Sequence, residues 1–368
     1  MATIAVDATY IFDANPTGTA TYSRKLIESL AKLNTSHHFL VCYRLSRIGR
    51  RREFLLPATA TQTGGPRFSV RLFQEPLTFW LPWQADLFHS LAQRPPAFRF
   101  RQEVVTIFDI FPITGRDYST PEFQRRFSRL LREAVARAGR IVTLSRYTAD
   151  QLMRHCDVKG ERLRVIPAGV NVPEQTIPQE VRLRERQTLV GEGKEMLLTV
   201  GALEARKNVV SALRALKFLP ERYRLVLAGG NGYGSHAIHG MISSGGLESR
   251  VSLLGYVAAD RLAVLYQSAS ALLFPSLEEG FGLPVLEAMA CGLPVVTSQT
   301  SSLPEVGGDA ALYVDPRDPL DIAAKVVSAV EDSRLREELI QKGLARARQF
   351  PWSRAAEETL SLYNEMLQ

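Results

Sequence analysis

Ser276-Leu277-Glu278-Glu279-Gly280-Phe281-Gly282-Leu283-Pro284-Val285-Leu286-Glu287-Ala288-Met289-Ala290 follows directly on the short apolar run Ala271–Pro275. The run reads as a buried strand of a parallel sheet, and the glycines as a loop leaving it. Pro284 marks the entrance of a helix, where its missing N–H goes unnoticed, and Gly292 marks the exit. Strand, glycine-bearing loop and helix together form the unit of a doubly wound α/β sheet, whose ligands sit beyond the carboxyl ends of the strands. Glu279 then stands on the loop and Glu287 in the first turn of the helix, eight residues on. Each Glu alone is explained by complementarity to the helix dipole. Within Gly-Phe-Gly-Leu-Pro, where Gly280 and Gly282 let backbone N–H groups approach closely, the pair reads as two anchors for the hydroxyls of one polyol.

The same rhythm runs through the chain. Strands are expected at Ile4–Asp7, Phe39–Tyr43, Leu87–His89, Val104–Phe108, Arg140–Leu144 and Leu163–Ile166, with helices between them such as Thr19–Leu33 and Thr148–Arg154. A polar, charged stretch at 173–193 reads as a linker with at most a short helix. The pattern then restarts with Met196–Val200, Arg224–Ala228, Val251–Leu254, Ala271–Pro275, Pro294–Ser298 and Ala311–Val314. Two such sets predict two doubly wound, Rossmann-like parallel-sheet domains. A last helix spans Arg354–Leu367, with Ser353 as its N-cap.

Composition bounds the rest. The 368 residues are 45% hydrophobic and 23% charged, ordinary globular proportions for two domains. Three cysteines, Cys42, Cys156 and Cys291, are too scattered for a disulfide framework or a zinc cluster, and a reducing compartment fits. Met1–Asp7 reads as a strand, so no secretory signal is expected, and the uncharged run Ala288–Pro304 is too rich in breakers to span a bilayer. The net charge of +7 is uneven. Residues 1–172 carry 25 Lys and Arg against 14 Asp and Glu, whereas 173–368 carry 20 against 24. The basic runs are Arg44–Arg52 and Phe123–Arg140. In the second, Phe123, Phe127, Leu130, Leu131, Ala134 and Ala138 share one helical face, opposite Arg125, Arg126, Arg129 and Arg132. The plain reading is a solvated arginine face; the sharper one is a surface for anionic lipid. No nucleic-acid motif is present, and no nucleic-acid partner is expected.

Three more loops follow expected strands or open a helix. Val200–Asn208 places Arg206 and Lys207 beside a helix that Asn208 caps, a natural seat for a diphosphate. Gly229-Gly230-Asn231-Gly232-Tyr233-Gly234 lacks the dinucleotide spacing and reads as a turn. Gly18 opens the first helix of the first domain, where a phosphate or an acceptor fits. His89 either packs or faces a ligand. No P-loop, nucleophile elbow or H-E-x-x-H motif occurs.

On these residues the chain resembles the nucleotide-sugar glycosyltransferases of family four (group 1, GT-B fold). The resemblance is carried by Glu279-Gly-Phe-Gly-Leu-Pro-Val-Leu-Glu287 continuing to Val296, with Gly201–Asn208, Ser301–Val306 and Phe350–Trp352 in support. It implies two domains facing across a cleft, with the final helix crossing back. An acceptor-side domain would span 1–172 plus 350–368, a linker 173–193, and a nucleotide-sugar domain 194–349. It implies a retaining, metal-independent hexosyltransferase with no cofactor. Glu279 would hold the donor sugar, Glu287 the ribose, and Arg206 and Lys207 the diphosphate. Gly280, Phe281, Gly282 and Leu283 would line the donor, Tyr256 and Val257 would meet the base, and Gly18 would lie near the phosphates or the acceptor. Many relatives have His-Asp where this chain has Phe108-Asp109, so a sugar contact is lost from Phe108 while Asp109 still serves. Relatives often carry Arg at the place of Ala202, and Arg206 is expected to compensate.

The expected function is transfer of a hexose, first mannose from GDP-mannose, to a glycan or polyprenyl-linked glycan. The setting expected is cytoplasmic, peripheral to an anionic membrane face through the basic first domain. Negative charge gathering on the departing diphosphate suits the two cations and the helix mouth, and no protein nucleophile is required. The competing readings are a nucleotide-sugar epimerase on a similar scaffold and an inactive nucleotide-sugar-binding protein.

Overall fold

The computed structural model describes residues 1–12, 17–46, 67–75, 77–78 and 80–368. They form two compact units. One comprises Met1–Ile113, Pro121–Gly169 and Phe350–Gln368; the other comprises Thr114–Thr120 and Val170–Gln349.

The first unit is built on seven parallel strands: β1 (Thr3–Asp7), β2 (His38–Arg44), β3 (Arg67–Phe73), β4 (Leu87–Ser90), β5 (Gln102–Ile107), β6 (Arg140–Thr143) and β7 (Leu163–Val165). Their order is β3-β2-β1-β4-β5-β6-β7, reversing direction at β1. The inner strands are apolar runs rather than alternations because helices cover both faces of such a sheet. Ile4, Ala5 and Val6 are buried, as is the whole of Phe39–Tyr43. Strand β3 is absent from the expected set. Its Arg-Phe-Ser-Val-Arg-Leu-Phe alternation belongs to a half-exposed edge strand, not to the buried runs sought. Around the sheet lie α1 (Gly18–Leu30), α2 (Phe111–Thr114), α3 (Pro121–Arg137) and α4 (Arg146–Cys156). Helix α3 buries Phe127, Leu131, Ala134 and Val135, and exposes Arg125, Arg126, Arg129 and Arg132. Phe123, expected on the core face, is 48% exposed in the first turn, its ring centre 6.1 Å from that of Phe127. Of the basic run Arg44–Arg52, residues 47–52 lie outside the described residues.

The second unit has six parallel strands: β8 (Glu195–Val200), β9 (Tyr223–Ala228), β10 (Val251–Gly255), β11 (Ala271–Phe274), β12 (Val295–Ser298) and β13 (Leu312–Val314). The order β10-β9-β8-β11-β12-β13 reverses between β8 and β11. The helices are α5 (Gln179–Val190), α6 (Val209–Leu216), α7 (Ser235–Ser244), α8 (Ala259–Ser268), α9 (Leu283–Ala290), α10 (Leu303–Gly307), α11 (Pro319–Glu331) and α12 (Ser333–Ala347). Val209, Leu213 and Leu216 of α6 and Ile322 and Val326 of α11 pack in one cluster with Leu225 and Leu227 of β9. Each such buried side chain contributes roughly 1.5–3 kcal/mol. The expected linker is largely α5, twelve residues belonging to this unit. Its charged residues are interrupted by exposed Val181 and Leu183, so no apolar stripe at helical spacing marks it. Polar bonds and buried Val190 hold it: Arg186 Nε donates to the Ser268 carbonyl at 2.8 Å.

The last helix, α13 (Trp352–Leu367), is part of the first unit and packs on α1. Trp352, Ala355, Ala356, Thr359, Leu362 and Tyr363 are its buried face. The expected cap at Ser353 is corrected: the helix begins two residues earlier, Pro351 takes the cap position, and Ser353 lies inside the first turn. Among the described residues, no helix is long and apolar enough to cross a membrane.

Candidate functional site

Strands β8 and β11 are neighbours where the strand order reverses, so the loops beyond their carboxyl ends open at the same place. The chain leaves β8 at Gly201, and Gly229, beyond β9, presses against it. A Cβ on Gly229 would stand 1.9 Å from the Gly201 carbonyl oxygen, so the two loops meet only because this residue has no side chain. The β8 loop then makes one short turn, Ala205–Lys207, before α6 begins. Its backbone is tied to the β11 loop by the Leu277 N–H, which donates to the Arg206 carbonyl at 2.8 Å.

This brings Arg206, Lys207 and Glu279 together. Lys207 Nζ donates to Glu279 Oε1 at 2.6 Å and lies 4.7 Å from the centre of the Phe274 ring. Arg206 Nη1 donates to Glu279 Oε2 at 3.0 Å and to the Glu278 carbonyl at 3.1 Å, while its Nε donates to Glu204 Oε2 at 2.8 Å. Glu279 is 6% exposed and Lys207 9%. Burial pushes the Glu279 carboxyl up, but Lys207 and Arg206 more than offset it and hold the group below the usual carboxylate range. The loop is also braced behind Glu279. The Glu279 N–H donates to Ser301 Oγ at 3.0 Å, and Ser302 Oγ donates to the Glu279 and Phe281 carbonyls at 2.9 and 2.8 Å.

Two local expectations are corrected here. Asn208 does not cap α6 with its side chain. Its backbone is left-handed (φ 54°), which turns the amide to donate to the Pro275 and Pro316 carbonyls at 3.0 and 2.7 Å. Asn208 thus joins three loops of the sheet's carboxyl edge and leaves the first N–H groups of α6 without a side-chain cap. Glu287 lies in the second turn of α9 rather than the first, because the helix begins at Leu283. Gly282 precedes it at φ +105°, a conformation that L side chains rarely adopt. Glu287 stands apart from the Arg206–Lys207–Glu279 group. Tyr266 Oη donates to its Oε2 at 2.7 Å, and burial raises its carboxyl above the usual range against that bond.

The remaining expected residues are distributed as follows. Gly280, Phe281 and Gly282 are buried and Leu283 half-buried along the loop into α9. Tyr256 (44% exposed) and Val257 follow the carboxyl end of β10, the edge strand. Gly18 and Asp109 belong to the first unit: Gly18 is exposed as the first residue of α1, and Asp109 is half-buried just past β5. The Phe108 ring packs edge-on against Tyr22, centres 5.2 Å apart. His89 packs: it is buried, its Nδ1 2.6 Å from Tyr363 Oη and its Nε2 2.9 Å from Thr106 Oγ1.

Several participants escaped sequence reasoning. Glu204 and Glu278 bracket Arg206, and Glu278 accepts a bond from Thr114 Oγ1 through its side chain. Ser301 and Ser302 lay within a supporting run but suggested no role, and Tyr266 gave no signal, since its partner is 21 residues away. Chemically, the arrangement is two cations held against one carboxylate in a dry frame. An arriving anion can take the cations over, freeing Glu279 Oε1 and Oε2 to accept hydroxyl hydrogens.

Residues 181–346 match the family model for glycosyl transferases group 1, and residues 16–173 match that for glycosyltransferase family 4. The O-antigen chain mannosyltransferase B of Escherichia coli is 33% identical over 273 residues, 72% of this chain and 71% of that protein. A serotype-specific mannosyltransferase WbdA of Escherichia coli is 30% identical over 277 residues; the match covers 72% of this chain but only 34% of that longer protein. Among solved structures, the sucrose-phosphate synthase of Thermosynechococcus elongatus superposes with a TM-score of 0.78 at 20% identity, covering 100% of this chain and 99% of that one. That similarity carries the fold, which is of the GT-B type.

Proposed function

The chain belongs to the group 1 glycosyltransferases, with a family 4 first unit, and from that premise we propose that it transfers mannose from GDP-mannose to a lipid-linked glycan with retained configuration. The bond of Lys207 and Arg206 to Glu279, at the reversal of strand order, carries this reading. The donor diphosphate takes Arg206 and Lys207 from Glu279, and Glu279 turns its oxygens to the sugar hydroxyls. As the glycosidic bond breaks, charge accumulates on the leaving phosphate, where both cations and the uncapped mouth of α6 already point. The departing phosphate oxygen accepts the proton of the attacking hydroxyl on the same face, so no divalent metal and no protein nucleophile take part. Glu287 holds the ribose, and Gly280–Leu283 line the donor. Tyr256 and Val257 meet the base. Gly18 and Asp109 are the first unit's contributions to the same reading. The mannosyl choice follows the names of the two Escherichia coli relatives.

The arginine face of α3 is, in the same reading, the surface that meets anionic lipid where the acceptor resides. The decisive experiment is a thermal-shift screen against GDP-, UDP-, dTDP- and ADP-sugars, followed by transfer in EDTA with the product's anomeric configuration read by NMR. Selective stabilisation by GDP-mannose and an α-linked product support the reading. An inverted product, or no turnover without a divalent metal, rejects it.

A further inference from the structure

The second sheet has a charged cavity at its other end. Glu195 opens β8, Ser270 precedes β11 and Pro294 precedes β12, and these amino ends form the floor of a cavity of about 280 Å³. Helices α5 and α12 wall it with Arg182, Arg186 and Arg336. Strand β8 has six residues, so at roughly 3.3 Å each the cavity lies about 17–20 Å from the Arg206 loop.

Its charges do not balance. Glu195 is the single carboxylate in the lining. Its Oε2 accepts from Ser270 Oγ at 2.6 Å and lies 3.8 Å from an Arg186 Nη1. Cys291 and Tyr266 also line the cavity, and both are neutral, because burial pushes the thiol up to about 12 and raises the phenol well above its ordinary value. Arg336 Nη1 donates to the Val330 carbonyl at 3.2 Å, which uses one of the five N–H donors of its guanidinium. Arg182 has its Nε buried without a hydrogen-bond partner among the described residues. Burial, with Arg182 and Arg336 adding to it and Glu195 opposing, pulls Arg186 down from the ordinary arginine range. Three guanidinium groups gathered round one cavity repel one another, and an unsatisfied buried N–H is costly, roughly 1–3 kcal/mol. Planar guanidinium forks match the oxygens of phosphate two at a time.

We propose that this cavity is a binding site for a small phosphate-bearing anion, with Arg182, Arg186 and Arg336 as its ligands. The site is separate from the donor loops, and the inference does not depend on the transfer reaction.

The test is calorimetric titration of the whole chain at constant ionic strength with inorganic phosphate and with mannose 6-phosphate. Each is run on the wild type, on Lys207→Ala, and on Arg182→Gln combined with Arg336→Gln. Binding that survives Lys207→Ala and weakens at least tenfold in the double arginine variant is expected. Preference for one probe identifies free phosphate or a phosphorylated sugar as the ligand. The double variant is also expected to melt no lower than the wild type without anion, since it removes repulsion. Undiminished binding by the double variant, loss of binding in Lys207→Ala, or no binding of either probe by the wild type overturns the proposal. A double variant that melts well below the anion-free wild type assigns the arginines to structure alone and overturns it as well.

Discussion

Lys207 Nζ and Glu279 Oε1 stand 2.6 Å apart, nearly out of reach of water, and Arg206 holds the other oxygen of the same carboxylate. A buried ion pair adds little net stability, because desolvation offsets most of the attraction. Its removal by halves is another matter. Lys207→Met leaves Glu279 paired with Arg206, whereas Glu279→Met strands Lys207 and leaves Arg206 with Glu204 alone. We expect the second to cost about 3–5 kcal/mol in urea unfolding and the first clearly less. Equal costs would remove Arg206 from the account.

Transfer should respond differently from stability. Glu279→Gln keeps the shape and still accepts hydroxyl hydrogens through one oxygen, but it releases the two cations from their counter-charge. In the proposed reaction, Lys207→Met deletes a charge that would stabilise the leaving phosphate. Initial rates should fall by about 100-fold or more in Lys207→Met, with folding checked by circular dichroism. A Lys207→Met enzyme with near-normal rates would count against the diphosphate role.

The Glu279 carboxyl titrates below its ordinary value, so the sign of its pH effect is fixed. Its contribution to stability is complete above the unfolded carboxylate range and is lost as pH falls through the depressed folded value. The stability gap between wild type and Glu279→Gln should therefore narrow on acidification from neutrality toward pH ~3. A gap constant across that range refutes the depressed value.

His89 acts at a milder pH. Burial holds its imidazole down to about 3, while in the unfolded chain it protonates near the ordinary histidine value of about 6.5. The unfolded state then gains a proton that the folded state refuses. Stability should fall below pH 6.5 by up to about 1.4 kcal/mol per unit from this one group. Denaturant midpoints of His89→Gln across that range should lack this slope. Parallel pH profiles for the two proteins would contradict it.

Tyr266 supports Glu287 from behind. Removing its hydroxyl bond in Tyr266→Phe pushes the Glu287 carboxyl further up and loosens its orientation. On the proposed ribose role of Glu287, donor KM should rise about three- to tenfold with kcat changed less than twofold, since such a contact would bind ground and transition states alike. A fall in kcat at constant KM would relocate Glu287 to the reacting centre.

The arginine face of α3 is tested with vesicles. Arg125, Arg126, Arg129 and Arg132 are exposed, and each is worth on the order of 1 kcal/mol near an anionic surface. Changing all four to Ser should sharply weaken sedimentation with phosphatidylglycerol vesicles. Unchanged binding rejects the lipid role.

Much of this was legible beforehand, for local reasons. Buried parallel strands are dense apolar runs, so twelve of the thirteen strands among the described residues are legible, and β3 is not because an edge strand keeps polar residues. The loop carrying Glu279 declared itself through Gly280, Gly282 and Pro284, residues whose backbone demands are specific. What stayed hidden was contact at long separation. Nothing near Arg206 reveals that Glu279, 73 residues on, neutralises it, and nothing near Glu287 points to Tyr266. Helix α5 was read as a connector because it buries little beyond Val190 and is held by polar bonds that no periodicity records.

Helix α13 has one further effect. The first unit is stitched from both extremities of the chain, with Tyr363 sealing His89 and Trp352 meeting Tyr22, while residues 170–349 make up nearly all of the second. During synthesis the second unit emerges whole and is free to close at once. The earlier-made first unit keeps the side of α1 that meets α13 uncovered until Trp352–Leu367 has been made. The nascent protein therefore completes its later half before its earlier one, against the usual order, and the exposed seat of α13 is where a chaperone has most to protect.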